Sequence, residues 1–222
     1  MPGDRDPRES GPRQKPFNYV VIVGIAFFIV FAIALFNMLK TEDSGTVGLG
    51  PVLLGQKVPP FAVPVATSDL DGDANVDPEN ACSVDLEGAM RICDYFDRPL
   101  VMSFWFTKGS SECIEQQDVF EQLADRFGDR AGFVSINVRD DRDRVRELIA
   151  EHGWEVPVGY DRDGAVSNIY RVGGCPTYLF IEPGGVLKNA EVRSKTLSEL
   201  ETQVRSLLNS DGTEVKPTKT DS

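Results

Sequence analysis

The chain has 222 residues, 41% of them apolar and 26% charged, which suffices for one domain with a sizeable core plus short extensions. Its net charge of −12 is unevenly placed: residues 1–40 hold five Lys/Arg against three Asp/Glu, so the remainder carries −12 − 2 = −14. A body this acidic repels phosphate backbones and anionic headgroups, which argues against nucleic acid or an anionic lipid surface as a partner of the soluble part.

Residues 1–18 are rich in Pro, Gly, Arg and Asp, a composition expected to stay disordered. They lead into "YVVIVGIAFFIVFAIALFNML", Tyr19 to Leu39. About 20 apolar residues, each rising ~1.5 Å, cover a bilayer as a helix. The run exceeds a secretory h-region, no small-x-small cleavage site follows Phe36, and no Cys follows to take a lipid, so the pattern predicts an uncleaved signal anchor. Four Lys/Arg precede the span, and the acidic, Gly-rich "TEDSGTVGLG" follows Lys40. The positive-inside bias then places residues 1–18 in the cytoplasm and the main domain outside, where disulfides persist. Residues 40–55, with four glycines, form a flexible tether; residues 56–209 form the domain; residues 210–222 are a polar, unstructured tail.

Within the domain, Glu87-Gly88 can close a two-residue hairpin between residues 82–86 and 89–93. Counting outward from the turn sets Cys82 opposite Cys93. Opposed residues at a non-hydrogen-bonded pair have Cα atoms ~4.5 Å apart, inside the disulfide range, so a structural cross-strand disulfide is expected. "PLVMSFWF" (Pro99–Phe106) is a continuous apolar run, as a strand buried on both faces requires. A helix follows, with Val119, Phe120, Leu123 and Phe127 on one side and Gly128 as its stop. "AGFVSINV" reads as a second buried strand, "DRDRVRELIAEHG" as a helix closed by Gly153, and "SNIYRV" as a short helical piece. "TYLFIE", "PGG" and "VLKNAEVR" form a hairpin, and "LSELETQVRSLLNS" a last amphipathic helix. This order gives an α/β fold, a mixed sheet covered by helices.

Cys113 sits at the predicted start of the first helix, where the dipole favours thiolate; Lys108 adds to this, while Glu112 and Glu115 oppose it. His152, the one histidine, falls at a helix end and reads as a dipole partner. "SDLDGDANVD" has acidic spacing like a calcium loop, but lacks Gly at its sixth position and has Asn80 where the closing Glu belongs. A solvated acidic loop is expected there, "DRDG" (Asp161–Gly164) reads as a turn, and Trp105 reads as core. No metal or other cofactor is expected.

"GQKVPPFAVP", "LVMSFWFTKGSSEC", "HGWEVPVGYDRDGAVSNIYRV" and "GCPTYLFIEPGGVL" appear in an order that resembles the membrane-anchored thioredoxin-like proteins of the redoxin superfamily, over roughly residues 55–208. That superfamily includes extracytoplasmic disulfide reductases and peroxiredoxins. The resemblance implies a thioredoxin-like fold, with Pro176 as the cis-proline facing the active-site loop. It also exposes a departure. Where the reductases carry C-x-x-C, this chain has Ser110 in place of the nucleophilic cysteine and Cys113 in place of the second. The residue before the cis-proline lies beside the active-site sulfur in this fold, so Cys175 is expected to meet Cys113.

Three functions stay open. The first is thiol–disulfide exchange with protein partners, with Cys113 as the reactive thiol and Cys175 as its partner. The second is peroxide reduction by Cys113, because the peroxiredoxin pattern P-x-x-x-[ST]-x-x-C is matched at Ser110 and Cys113, though not at Phe106; Arg139 and Arg171 are candidates for the supporting arginine. The third is a non-catalytic binding module, in which Cys113–Cys175 is a permanent disulfide or Cys175 replaces a small apolar residue.

Overall fold

The computed structural model describes residues 23–32, 53–108 and 111–209. Contacts divide the chain into two units, residues 1–44 and 45–222. In the first, residues 23–32 are helical with every side chain exposed. No described helix is long and apolar enough to cross a membrane. Most of the span expected at Tyr19–Leu39 lies outside the described residues, as do residues 1–18, most of the 40–55 tether and the 210–222 tail.

The second unit is organised by the strand the apolar run predicts. β3 (Leu100–Trp105) is buried at every position. It lies at the centre of a five-stranded sheet of order β5-β4-β3-β6-β7. β4 (Gly132–Val138) and β5 (Val158–Asp161) continue parallel on one side; β6 (Thr177–Glu182) and β7 (Val186–Val192) run antiparallel on the other. The helices are α1 (Glu112–Phe127), α2 (Arg142–His152), the short α3 (Ala165–Ile169) and α4 (Leu197–Asn209). This is the thioredoxin-like order of strands and helices.

Alternation along β3 divides the core. Leu100, Met102 and Phe104 pack with Phe61, Ile92 and Tyr170. Val101 on the other face packs under α1 and α4, against Phe120, Leu123 and Val204. Each such buried side chain is worth about 1.5–3 kcal/mol, whereas an exposed pair such as Arg144–Glu147 contributes at most about 1 kcal/mol. Packing on the sheet therefore dominates the fold.

The expected hairpin at residues 82–93 does not form. β2 (Ala89–Arg91) pairs instead with β1 (Ala62–Pro64), with Val63 opposite Met90, while residues 84–86 join no strand. The Glu87-Gly88 turn is present, with Gly88 at φ 83° and the Ala89 N–H donating to the Leu86 carbonyl at 3.1 Å. Cys82 and Cys93 lie instead on two single 3-10 turns, Ala81–Ser83 and Ile92–Tyr95, and are bonded with Cα atoms 5.7 Å apart. The pair is therefore joined where two turns meet, because β2 spends its ladder on β1. β5 is a further finding, at residues where the sequence pattern assigns no strand. Gly159 is required by close packing: a Cβ there would stand 2.6 Å from Val63 Cγ2. Gly153 ends α2 in the left-handed region as expected, but Gly128 ends α1 with right-handed φ −63°.

The segment after β1 is held by arginines. The Arg142 guanidinium donates to the carbonyls of Val65 (2.7 Å), Ala66 (3.0 Å), Ser68 (2.9 Å) and Leu70 (2.6 Å), and Arg146 reaches those of Ala66 and Ser68. These bonds satisfy carbonyls of a segment that lies outside the strand ladders, beyond its single bridge from Val65 to Gly159. In the acidic loop, Asp71 and Asp73 pair with Arg162 at 3.1 and 2.8 Å. Asp77 accepts the Glu79 N–H and the Asn80 side-chain amide, which hold its carboxyl below the usual carboxylate range. Its carboxylates thus serve internal donors, and among the described residues no group of His, Cys, Asp and Glu is arranged for a metal ion.

Because the Cys82–Cys93 bond closes a loop of 11 residues, its removal frees the unfolded chain. Cys82→Ser with Cys93→Ser is expected to lower unfolding stability by about 3 kcal/mol in urea titration.

Candidate active site

β3 and β6 run antiparallel with Phe104 opposite Thr177, so the chain leaves β3 and enters β6 at the same end of the sheet. Cys113 stands in the first turn of α1, reached from β3, and Cys175 stands two residues before β6. The topology brings these cysteines, 62 residues apart in sequence, to a Cα separation of 5.8 Å, and their sulfurs are bonded. The Cys175–Pro176 peptide is cis, as the resemblance implies. Pro176 and Thr177 are buried, and Thr177 Oγ1 donates to the Gly174 carbonyl at 2.7 Å, closing the turn that carries Cys175. Ser110 lies outside the described residues.

Three sets of polar contacts hold this geometry. The first is a strut between the two cysteine-bearing segments. Tyr178, three residues after Cys175, donates its hydroxyl to Gln116 Oε1 at 2.9 Å, three residues after Cys113; the Lys195 N–H donates to the same oxygen at 2.8 Å. Burial raises the Tyr178 phenol far above its usual range, so it remains a donor. The second set fixes α1 to the sheet. Gln117, buried, accepts from Ser103 Oγ (3.2 Å) and Ser135 Oγ (3.1 Å) and donates to Glu121 at 3.3 Å. Glu121 also accepts the N–H groups of Glu155 and Val156.

The third set anchors the loop between β3 and α1. The buried Asp140 accepts the Thr107 N–H at 2.6 Å, the Thr107 hydroxyl at 2.8 Å and the Asn137 amide at 2.8 Å, while its own carbonyl accepts the Tyr160 hydroxyl at 2.8 Å. Sequence reasoning missed Asp140. A signal was present in "RDDRDR": Asp141 alone supplies the N-cap of α2, accepting the Arg144 N–H at 3.0 Å, which leaves the preceding acid free for another partner.

An apolar and aromatic wall flanks the pair. Cys175 and Ile114 pack against a cluster containing Trp105, Val145, Leu148, Trp154 and Tyr160, which confirms Trp105 as core. Trp105 and Trp154 meet edge to face at 5.2 Å. Asp118 accepts the Trp154 indole N–H at 2.7 Å and faces His152 Nδ1 at 2.9 Å, so the histidine is occupied by a carboxylate. The other candidates do not join the cysteines. Arg139 Nε donates to the Asp163 carbonyl at 2.9 Å, Lys108 Nζ to the Arg139 carbonyl at 3.4 Å, and Arg171 is exposed with φ 51°. The chemistry available at the site is thus that of a dithiol/disulfide pair, with Cys113 2% exposed and Cys175 half-buried.

Glu121 gives the network beneath the site a pH signature. Burial lifts its carboxyl above the ordinary 4.5 despite the donors around it, and burial likewise lifts Asp161 above 3.8. Through that window the folded state holds protons the unfolded chain has released, so stability falls as pH rises from the ordinary value through the raised one. Glu121→Gln is expected to make this decline shallower, leaving the Asp161 part, when urea midpoints are compared between about pH 4 and about pH 7.

Several known proteins are similar to this chain. The thiol-disulfide oxidoreductase ResA of Oceanobacillus iheyensis is 24% identical over 118 residues, covering 52% of this chain and 60% of that protein's length. ResA of Geobacillus kaustophilus is 25% identical over 125 residues, 55% of this chain and 71% of its own length. Among solved structures, a putative thiol:disulfide interchange protein DsbE from Chlorobium tepidum superposes with a TM-score of 0.57 at 21% identity, over 70% of this chain and 97% of that one. A DsbF homologue from Corynebacterium diphtheriae gives 0.55 at 18% identity, over 68% and 86%. These likenesses establish the thioredoxin-like fold, and residues 54–190, well over half of the chain, match one family directly. The chain belongs to the AhpC/TSA family.

Proposed function

We propose that this protein is a membrane-anchored, extracytoplasmic thioredoxin-like oxidoreductase that exchanges thiols and disulfides with protein partners through Cys113 and Cys175. The observation that carries the reading is the bonded pair itself, set at the end of the sheet and against the cis-proline, with Cα atoms 5.8 Å apart. In this reading Cys175 supplies the sulfur that Ser110 lacks. The relatives named as thiol-disulfide oxidoreductases support the reaction class, and an exported location favours a disulfide that persists between turnovers. The Cys82–Cys93 bond, away from the cis-proline, is assigned a structural role.

The anchor is residues 19–39, with residues 1–18 cytoplasmic, 40–55 as tether, 56–209 as the working domain and 210–222 as tail. Support comes from the apolar sequence and from its described part, where Phe27 and Phe28 are 71% and 74% exposed in a helix apolar all round. Such a helix needs lipid or protein around it. A peroxidase draws less support, since Cys113 is buried and bonded and Arg139 is committed to Asp163.

The test is dithiothreitol-driven reduction of insulin. The wild-type chain is expected to accelerate it and Cys175→Ser to fall to the uncatalysed rate, while Cys82→Ser with Cys93→Ser retains catalysis at temperatures where it stays folded. A wild-type protein that leaves the uncatalysed rate unchanged would instead indicate the binding module, with Cys113–Cys175 a permanent brace.

A further inference from the structure

The two cysteines of the bonded pair are not equally exposed. Cys113 is 2% exposed, held against the sheet in the first turn of α1. Cys175 is half-buried, and the chain leading to it is more open still, with Arg171 and Gly173 exposed. Exchange requires an incoming thiolate to approach the attacked sulfur in line with the S–S bond, so access selects the sulfur. Of the two, Cys175 is the more accessible residue.

The departing side is unequal in the complementary sense. A sulfur leaves more readily as the more stable thiolate. Cys113 lies in the first turn of a 16-residue helix whose N-cap, Ser111, makes no side-chain cap bond, so the partial positive charge of the helix end falls on whatever sits there. Glu112 and Glu115 oppose this charge, though both are exposed to water, whose high dielectric weakens their effect. Burial also opposes it, by withholding water from the thiolate. Cys175 is not itself part of a helix; it precedes a cis-proline and a strand, and it meets the start of α1 through its bond to Cys113.

We infer that Cys175 is the substrate-facing sulfur and Cys113 the resolving one, the reverse of the expectation from sequence that Cys113 is the reactive thiol. The inference rests on the thiol–disulfide reading above. In the oxidising direction a substrate thiolate attacks Cys175 Sγ. A substrate–Cys175 disulfide forms, the Cys113–Cys175 bond breaks, and its electron pair leaves on Cys113 Sγ. A second substrate thiolate then attacks the substrate sulfur of that mixed disulfide, and Cys175 departs as thiolate. The substrate gains a disulfide, and the protein pair has taken up two electrons. In the reducing direction the Cys175 thiolate attacks the substrate disulfide, and Cys113 resolves the same adduct.

The wild-type chain tests this without a mutation. It is treated briefly with reduced glutathione and quenched in acid; free thiols are alkylated, and the peptides are mapped by mass spectrometry. Glutathione on Cys175 with the alkyl group on Cys113 is the expected result; glutathione on Cys113, or an even split, overturns the inference. The single variants give a second measure. Reduced Cys113→Ser is expected to form an adduct with glutathione disulfide at least about tenfold faster than reduced Cys175→Ser, and equal or inverted rates overturn it. If glutathione lands on Cys175 while the wild type fails to speed insulin reduction, the assignment of the open sulfur stands and the proposed function falls.

Discussion

The antiparallel pairing of β3 with β6 is the constraint on which the rest depends. With Phe104 opposite Thr177, the last residues of one strand and the first of the other share an edge of the sheet. A loop leaving β3 and a turn entering β6 then cannot avoid each other. Each strand is buried along nearly its whole length, so a slip of one residue would turn its apolar side chains onto the wrong face. The same hydrophobic pattern that fixes the core thus fixes the distance between Cys113 and Cys175. No local sequence feature links them; the sheet does.

Around that constraint, polar groups lock what packing leaves loose. Gln117 ties α1 to Ser103 on β3 and Ser135 on β4, Tyr178 ties β6 to Gln116, and Asp140 ties the loop after β3 to the end of β4. Leaving any one of these buried groups without a partner would cost about 1–3 kcal/mol, which is why they specify one arrangement rather than several. The cluster containing Trp105 and Trp154 adds packing against Cys175 and Ile114. The two cysteines therefore meet in a setting held by these bonds, one buried in the first turn of α1 and the other half-buried.

Much of this was legible in the sequence because it is written in local periodicity. The buried strand at Leu100–Trp105, the helices ending at Gly128 and Gly153, and the hairpin of β6 and β7 all follow from apolar spacing and turn residues. The bonded pair Cys82–Cys93 was also anticipated, but on an incorrect path. A turn at Glu87-Gly88 predicts a hairpin only if the preceding residues have no better use, and β2 found its partner 27 residues upstream, with Val63 opposite Met90. β5 leaves little periodic signal because it is four residues long and its Gly159 serves contact with Val63 rather than a bend. Asp140 and the Arg142 clamp were hidden for a different reason: their partners lie across the fold, and charge alone does not say which carbonyl or hydroxyl will face it. At the site, the residue types were readable and the resemblance implies the cis-proline, whereas the unequal exposure of the two cysteines belongs to three-dimensional packing.

Function turns on whether the Cys113–Cys175 bond is a brace or a reagent. Equilibration of the wild-type chain with dithiothreitol or glutathione buffers, followed by alkylation and mass mapping of each pair, gives a reduction potential for Cys113–Cys175 separately from Cys82–Cys93. A working couple must open against cellular dithiols, so a potential above about −300 mV is predicted for Cys113–Cys175. A value below about −300 mV would mark the bond as structural and contradict its role in exchange.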